Sequence, residues 1–337
     1  MTSSLSTRRA LLKAGLALPA AGMGIGSLLS ARAFAADAAA WPTRAIRFVV
    51  PFAPGGSSEI VARATSIELT KFIGQNVYVD NKPGAGGNLA MQDVARAEDQ
   101  HTLVLGHIGT LAVNPYIYAK LPYDPIKDFK PISLLAKVPS LYVVNADLPV
   151  KNLKDFVALM KSKPGKLNYG SAGNGSAGHL AMEYLKMVSE TFIVHVPYRG
   201  TGPQLTDLMA GRLDAAAVGA PAVMQYIKSG KLRCIATGTS TRIPQLPDVP
   251  TVAEQGFPGF EMTQWYGLMA PANLAPAAAD KLAVAAAKAI KSPESLERLS
   301  GDAAIAVGST PAEFAAFIAV EQKRWQTVIA RAGIKPD

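Results

Sequence analysis

The sequence predicts an α/β fold in which mostly parallel sheets are flanked by helices. From residue 41 onward, short runs of β-branched and aromatic residues alternate with helical or Gly-rich stretches. Strands that alternate with helices favour parallel sheets covered on both faces. The 337 residues, 49% hydrophobic and 18% charged, suffice for one large or two modest cores. Three Gly/Ser-rich turns each lie where a strand should end and a helix begin.

The predicted elements follow one another in a regular order. The first strand covers residues 46–50, ends at Pro51 and leads into a helix. Further short strands are predicted at 77–79, 102–105, 141–144, 167–169, 193–196, 215–218 and 234–236. The carboxyl-terminal region instead predicts three helices, each opened by a proline that suits a first helical turn, at 276–290, 293–299 and 311–332. Few strands are expected between them, so this region should add a helical layer.

Residues 1–36 are predicted to be a cleaved export signal. Arg8 and Arg9 precede a weakly apolar stretch that ends in Ala33-Phe34-Ala35, an order typical of the twin-arginine route. A general secretory signal and an uncleaved anchor are the alternatives. No later segment reaches the ~18 apolar residues that a membrane span needs. The mature chain is therefore expected in a Gram-negative periplasm and outside the membrane.

Charge and cysteine content narrow the function classes. The net charge is +9, but no Lys/Arg run with interleaved aromatic residues indicates a nucleic-acid partner. Cys234 is the only cysteine, which excludes an internal disulfide and a cysteine-based zinc site. The four histidines show no metal-ligand spacing. We therefore expect neither a metal nor a cofactor.

The turn after the first strand is the first candidate binding element. Its glycines permit a sharp reversal, and Ser57 or Ser58 is placed to cap the next helix, whose free N–H groups attract anions. The candidate ligand contacts in this turn are Phe52, Ala53, Gly55, Gly56, Ser57, Ser58 and Glu59.

Two later turns repeat this arrangement. The turn at 81–88 offers Gly84 and Gly86, although it can equally be a simple connection. The turn at 170–179 lies in the other half of the chain, and helix starts on opposite halves would face each other across a cleft. Its candidate contacts are Ser171, Ala172, Asn174, Gly175 and Ser176. A G-x-G-x-x-G match at 173–178 is not followed by the acidic residue that a dinucleotide site needs, because the next strand runs into Pro197.

An enzyme is the remote alternative. Ser57 or Ser176 with a histidine base would suit a hydrolase or isomerase of small acids, but no G-x-S-x-G elbow is present. Capture of a solute without chemistry is therefore favoured.

The motifs together resemble the Bug-type receptors of tripartite tricarboxylate transporters over nearly the whole mature chain. The resemblance rests on PFAPGG at 51–56, NKPGAGG at 81–87, GSAGNGS at 170–176, HVPYRG at 195–200, LPDVPTVAE at 246–254 and WYGL at 265–268. It implies a two-lobed type II periplasmic binding protein fold with a hinge crossed twice. It also implies that His107, Gly109 and Thr110, with the first turn, hold one carboxylate, and that Tyr198 and Arg199 close on the remainder with the turn at 171–176.

The resemblance also implies an organisation and a role. Residues 41–137 plus 263–337 are expected to form lobe 1, and residues 138–262 lobe 2. The expected ligand is a di- or tricarboxylate, an aromatic acid or an amino acid, which a monomeric receptor passes to membrane transporter subunits. A ligand-loaded sensor for a signalling receptor is the alternative. Glu59 stands where the family usually has Asp, and its longer side chain would either reach an amino or hydroxyl group of the ligand or narrow the pocket. Val218-Gly219-Ala220 stands where many relatives have polar or acidic groups, and this more apolar wall favours an aliphatic or aromatic monocarboxylate over a charged amino acid.

Overall fold

The computed structural model describes residues 41–332. The predicted export signal at 1–36 lies outside this range. The α/β class is confirmed, because strands and helices alternate along most of the described chain. The strands are β1 Ile46–Val50, β2 Val77–Asn81, β3 Thr102–His107, β4 Phe129–Asn145, β5 Asn168–Ser171, β6 Val194–Pro197, β7 Ala215–Gly219, β8 Leu232–Thr237, β9 Thr263–Pro271 and β10 Ile305–Ala306.

Helices connect most of these strands. They are α1 Ser57–Ile73, α2 Asn88–Ala95, α3 Asn114–Ile117, α4 Leu153–Ser162, α5 Ala177–Ser189, α6 Thr201–Met209, α7 Ala220–Lys228, α8 Pro276–Ile290, α9 Pro293–Ser300 and α10 Pro311–Ala332. A 3-10 turn, Ala85–Gly87, and a π-type turn, Gly109–Val113, precede α2 and α3. The three proline-opened helices of the carboxyl-terminal region are confirmed. None of the helices within residues 41–332 has both the length and the apolarity that a bilayer crossing requires.

The strands form two lobes that share β4. Lobe 1 contains the strand order β2-β1-β3-β9 followed by the first part of β4, and lobe 2 contains β7, β5 and β6 beside the last part of β4, with β8 on its other side. Strand β4 pairs with β9 as far as Pro139 and with β7 from Ser140 onward. The two-lobed fold expected from the resemblance is confirmed.

The sheets are mixed, where mostly parallel sheets were expected. The outer pairs are parallel, namely β1 with β2 and β3, and β5 with β6 and β7. Both β4 and β9 are antiparallel to their neighbours. The reason is that these two strands run side by side between the lobes instead of belonging to a strand–helix–strand unit.

Helix α10 packs on the lobe 1 face of these shared strands. The Phe314 ring lies against Gly267 of β9, where a Cβ would collide with it. The indole N–H of Trp265 donates to Glu321 at 2.8 Å, and both residues are buried. The carboxyl-terminal helix is thereby anchored to the strand that leads back from lobe 2.

Candidate functional site

A small cavity of about 30 Å³ lies between the lobes, with room for about two water molecules. Both lobes contribute to its wall. The lining residues are Phe52, Ser57, Ser58, His107, Gln264 and Tyr266 from lobe 1, and Ala172, Ser176, Ala177, Gly178, Thr201, Gln204, Ala217, Val218 and Gly219 from lobe 2.

Four helices begin at this cavity. Ser57 and Ser58 are the first residues of α1, Ala177 and Gly178 begin α5, Thr201 begins α6, and Gly219 precedes α7. The first N–H groups of a helix have no acceptor within the helix, and the helix dipole places partial positive charge there. The cavity is therefore surrounded by backbone donors that attract an anion.

No charged side chain is among the lining residues within the described range. Glu59, on the first turn of α1, is engaged elsewhere. Its carboxylate accepts a hydrogen bond from the Gly55 N–H at 2.7 Å and pairs with Arg63 at 2.7 Å. The positive character of the cavity thus comes from backbone dipoles and is not offset by an acidic group in its wall.

Two polar side-chain atoms in the wall have no hydrogen-bond partner among the described residues. They are the Ser57 hydroxyl oxygen and Nε2 of His107, and their residues are only 3% and 1% exposed. A buried polar atom without a partner is costly, so each such atom needs an explanation. Ligand oxygens that reach these two atoms would satisfy both.

The protonation of His107 follows from its neighbours. The Gly109 N–H donates to Nδ1 at 2.9 Å, so Nδ1 has no proton. Burial lowers the pKa of His107 from 6.5 to about 3, which makes the ring neutral at physiological pH. The single ring proton is therefore on Nε2, where it can only donate.

Three other polar side chains of the wall already make some of their hydrogen bonds within the protein. The Tyr266 hydroxyl donates to Oε1 of Gln264 at 2.8 Å, which leaves Gln264 its amide protons to donate. Burial raises the pKa of Tyr266, which keeps the phenol protonated. Gln204 donates to the Gly170 carbonyl at 3.0 Å and has its own oxygen left to accept.

The lobes touch beside the cavity through backbone atoms. The Ala53 N–H donates to the Arg199 carbonyl at 3.1 Å. A Cβ on Gly200 would lie 2.7 Å from the nitrogen of Ala53, and a Cβ on Gly109 would collide with the Gly175 carbonyl. Because only glycine fits at such distances, the turns of the two lobes meet more closely than residues with side chains would allow.

The structure brings many of the predicted site residues together. Phe52, Ser57, Ser58, His107, Ala172 and Ser176 line the cavity. Ala53, Gly55, Gly56, Gly86, Gly109, Asn174, Gly175 and Arg199 lie at the contact between the lobes.

Other predicted residues lie behind the wall. Thr110 is hydrogen-bonded to the backbone of His107, and Ser171 to His195. The Tyr198 hydroxyl donates to Asp207 at 2.7 Å. Gly84 lies against Leu89. Glu59 is held by Gly55 and Arg63 as described above.

Several lining residues were not among the predicted contacts, notably Thr201, Gln204, Gln264 and Tyr266. The sequence did contain a signal for Thr201. This residue follows Gly200 at the start of α6, directly after β6, in the same strand–turn–helix order as the three predicted turns. The glutamines carry no pattern of their own, and only the fold places them at the cavity.

Comparison with known proteins gives consistent matches. The family model described as "Tripartite tricarboxylate transporter family receptor" matches residues 61–334. Protein BugT of Bordetella pertussis is 34% identical over 315 residues, which are 92% of this chain and 97% of BugT.

Two solved structures of Rhodopseudomonas palustris proteins are also similar. One is a protein with adipate, 34% identical with a TM-score of 0.85, in an alignment that covers 88% of this chain and 100% of that one. The other is MatC with bound malate, 34% identical with a TM-score of 0.83, covering 86% of this chain and 100% of MatC.

Proposed function

Since the chain belongs to the family of tripartite tricarboxylate transporter receptors, we propose that it captures a small carboxylic acid between its lobes in the periplasm. In this proposal the loaded receptor then delivers the acid to membrane transporter subunits. The export signal expected at 1–36 supports the periplasmic location. The receptor role of the family supports delivery to transporter subunits.

The observation that carries the proposal is the meeting of four helix starts at one cavity, whose described lining residues include no charged side chain. Each helix dipole contributes about 0.3 to 1 kcal/mol toward an anion, and up to ~2 when partly buried. A hydrogen bond to a charged group is worth about 1.5 to 3 kcal/mol. Three or four such contacts supply much of the ~8 kcal/mol that micromolar binding requires.

The ligand class follows from the same wall. We assign to this chain a carboxylate without a cationic group, as in adipate and malate, the acids bound to the two similar R. palustris proteins. An amino acid would bring an ammonium group into a site whose described lining has no carboxylate. Glu59, on the first turn of α1, is already engaged by Gly55 and Arg63. Burial of a charge without a partner costs several kcal/mol.

We further propose that the ligand leaves unchanged. Among the described lining residues, His107 is the one histidine, and none of them carries a carboxylate or a thiol. With a pKa of about 3, His107 is a poor base at neutral pH. These features favour binding over proton transfer.

Capture in this proposal is a closure of two lobes, with residues 41–137 plus 263–337 as lobe 1 and residues 138–262 as lobe 2. The change of partner in β4 between Pro139 and Ser140, and the start of β9 at Thr263, support these boundaries. Because the cavity holds only about two waters, the lobes must separate to admit an acid.

A panel of acids tests the proposal. Purified protein is heated with adipate, succinate, malate, benzoate and aspartate, and affinities are measured by titration calorimetry. A bound acid at 100 times its dissociation constant should stabilise the fold by about 2.7 kcal/mol, and succinate should bind at least tenfold more tightly than aspartate. NMR of the recovered ligand should show no conversion. Absence of binding across the acids, equal affinity for aspartate, or turnover would each contradict the proposal.

A further inference from the structure

The lobe 2 turn at 173–176 forms part of the contact with lobe 1 and part of the cavity wall. It presents the carbonyl of Gly175 to Gly109 of lobe 1 and the carbonyl of Asn174 to Gly86. Ser176, at its end, lines the cavity. The conformation of this turn therefore affects both the cavity wall and the contact that closes it.

His179, the third residue of α5, is hydrogen-bonded to this turn at two points. The Gly175 N–H donates to Nδ1 of His179 at 3.3 Å, and the His179 N–H donates to the Ser176 hydroxyl at 3.4 Å. On the other side of the turn, the Gly173 N–H donates to the hydroxyl of Ser171 at 3.0 Å. His179 is 3% exposed, so water does not readily replace it as an acceptor.

The bond from Gly175 requires a neutral imidazole. An Nδ1 that accepts has no proton, so protonation would place two N–H donors face to face and break the bond. His195 lies beside His179 with ring centroids 4.5 Å apart, and its Nε2 lies 2.7 Å from the Ser171 hydroxyl. Protonation of His179 or of His195 would therefore change a hydrogen bond that holds the same turn.

Three further ionisable groups of this region, Tyr169, Glu183 and Lys186, interact with one another. Tyr169 stacks on His195 at 4.8 Å and donates its hydroxyl to Glu183 at 2.6 Å. Lys186 pairs with Glu183 at 2.6 Å and lies over the Tyr169 ring. The carboxylate of Glu183 is thus shared between Lys186 and the Tyr169 hydroxyl.

We propose that His179 is a positioning residue for ligand binding. Its neutral ring holds the turn at 173–176 in the conformation that meets lobe 1, and its protonation releases the turn and weakens closure on the ligand. The inference rests on the proposed function, because it assumes that closure of this cavity binds the acid.

Two variants separate positioning from mere packing. In His179→Asn the amide oxygen can accept from the Gly175 N–H without titrating, whereas His179→Leu cannot accept. With the tightest acid of the panel at pH 7.5, the dissociation constant should stay within about threefold of wild type for Asn and rise at least tenfold for Leu. Between pH 7.5 and 5, affinity should fall more steeply for wild type than for His179→Asn, because the acid itself gains protons in both experiments whereas residue 179 gains one only in wild type. Wild-type affinity in the Leu variant, or coincident pH profiles for wild type and Asn, would overturn the inference.

A second measurement does not depend on any ligand. Amide hydrogen exchange at the turn should be slow in wild type and in His179→Asn and at least tenfold faster in His179→Leu at pH 7.5, while β1 and β3 exchange equally in all three. Equal exchange at the turn in the three proteins would overturn the inference even if no acid in the panel binds. A panel without binding, together with the expected exchange pattern, would instead contradict only the proposed function.

Discussion

The amide of Gly109 donates to Nδ1 of His107 at 2.9 Å, and this bond determines which ring nitrogen can act on the cavity. With Nδ1 occupied and the ring neutral, Nε2 is a fixed donor at a buried position, and it has no hydrogen-bond partner among residues 41–332. His107 is thereby an uncharged hydrogen-bond donor, as are the backbone amides at the helix starts of the cavity wall.

Replacement of this donor should cost affinity. A hydrogen bond to a charged group is worth about 1.5 to 3 kcal/mol, so His107→Leu should raise the dissociation constant of the acid about 10- to 100-fold. His107→Gln, whose amide can donate from a similar position, should recover most of that loss. Titration calorimetry checks both. Equal affinity of wild type and His107→Leu would show that Nε2 does not contact the ligand.

The buried ring should also make stability depend on pH. The pKa of His107 is about 3 in the folded protein and about 6.5 when unfolded, because burial disfavours the charged form. Below pH 6.5 the unfolded chain takes up a proton that the folded protein does not, so this contribution is intact above pH 6.5 and is lost as pH falls toward 3. The loss is about 1.4 kcal/mol per pH unit, or about 2 kcal/mol at pH 5. Urea unfolding of wild type and His107→Gln at pH 7 and pH 5 should show a smaller decline in the variant, and equal declines would contradict the burial argument.

A fixed negative charge at the start of α1 should compete with the ligand. Ser57→Asp places a carboxylate where an acid is proposed to bind, and a carboxylate is favourable at a helix amino terminus. The variant should lose affinity at least 100-fold while its unfolding temperature stays equal or rises. Ser57→Asn is the matched control of the same size without the charge, and it should stay within about tenfold of wild type. Similar losses in both variants would indicate a steric effect instead of an electrostatic one.

A methyl group at the contact between the lobes should hinder closure. Gly200 has an extended backbone with φ 165°, which any residue can adopt, and the nearest atoms to an added Cβ all belong to Ala53 of lobe 1. Gly200→Ala should raise the dissociation constant at least tenfold. It should also increase the radius of gyration in small-angle scattering with the acid present. Gly301→Ala, where the added Cβ makes only an ordinary contact, should match wild type. If the two variants behave alike, closure through this contact is not needed for binding.

The strand–turn–helix units could be predicted from sequence, whereas the shared strands could not. Strand β4 contains Pro131 and Pro139, residues that ordinarily end or bound a strand, so only its apolar end at 141–144 gave a signal. Strand β9 is buried along almost its whole length and shows no alternation. Both strands owe their length to pairing with each other, which is a long-range property.

The candidate site could likewise be predicted only in part from the sequence. Turn chemistry identified Ser57, Ser58 and Ser176 as residues near helix starts. Ser176 caps α5 by accepting from the His179 N–H. The predicted cap of α1 by Ser57 or Ser58 is wrong, because Gly56 is the N-cap residue and no side chain caps that helix start. Gln204 and Gln264 come from the interior of a helix and a strand, and nothing local distinguishes them from structural glutamines. The protonation state of His107 could not be predicted from the sequence either, because it depends on the turn that brings the Gly109 N–H to Nδ1.

The most direct test is a crystal structure of the protein with the tightest acid of the panel. We expect carboxylate oxygens of the acid within about 3.2 Å of Nε2 of His107 and of the Ser57 hydroxyl, with helix starts of both lobes around them. An acid bound outside this cavity, or inside it with its carboxylate turned away from these two atoms, would contradict the central claim.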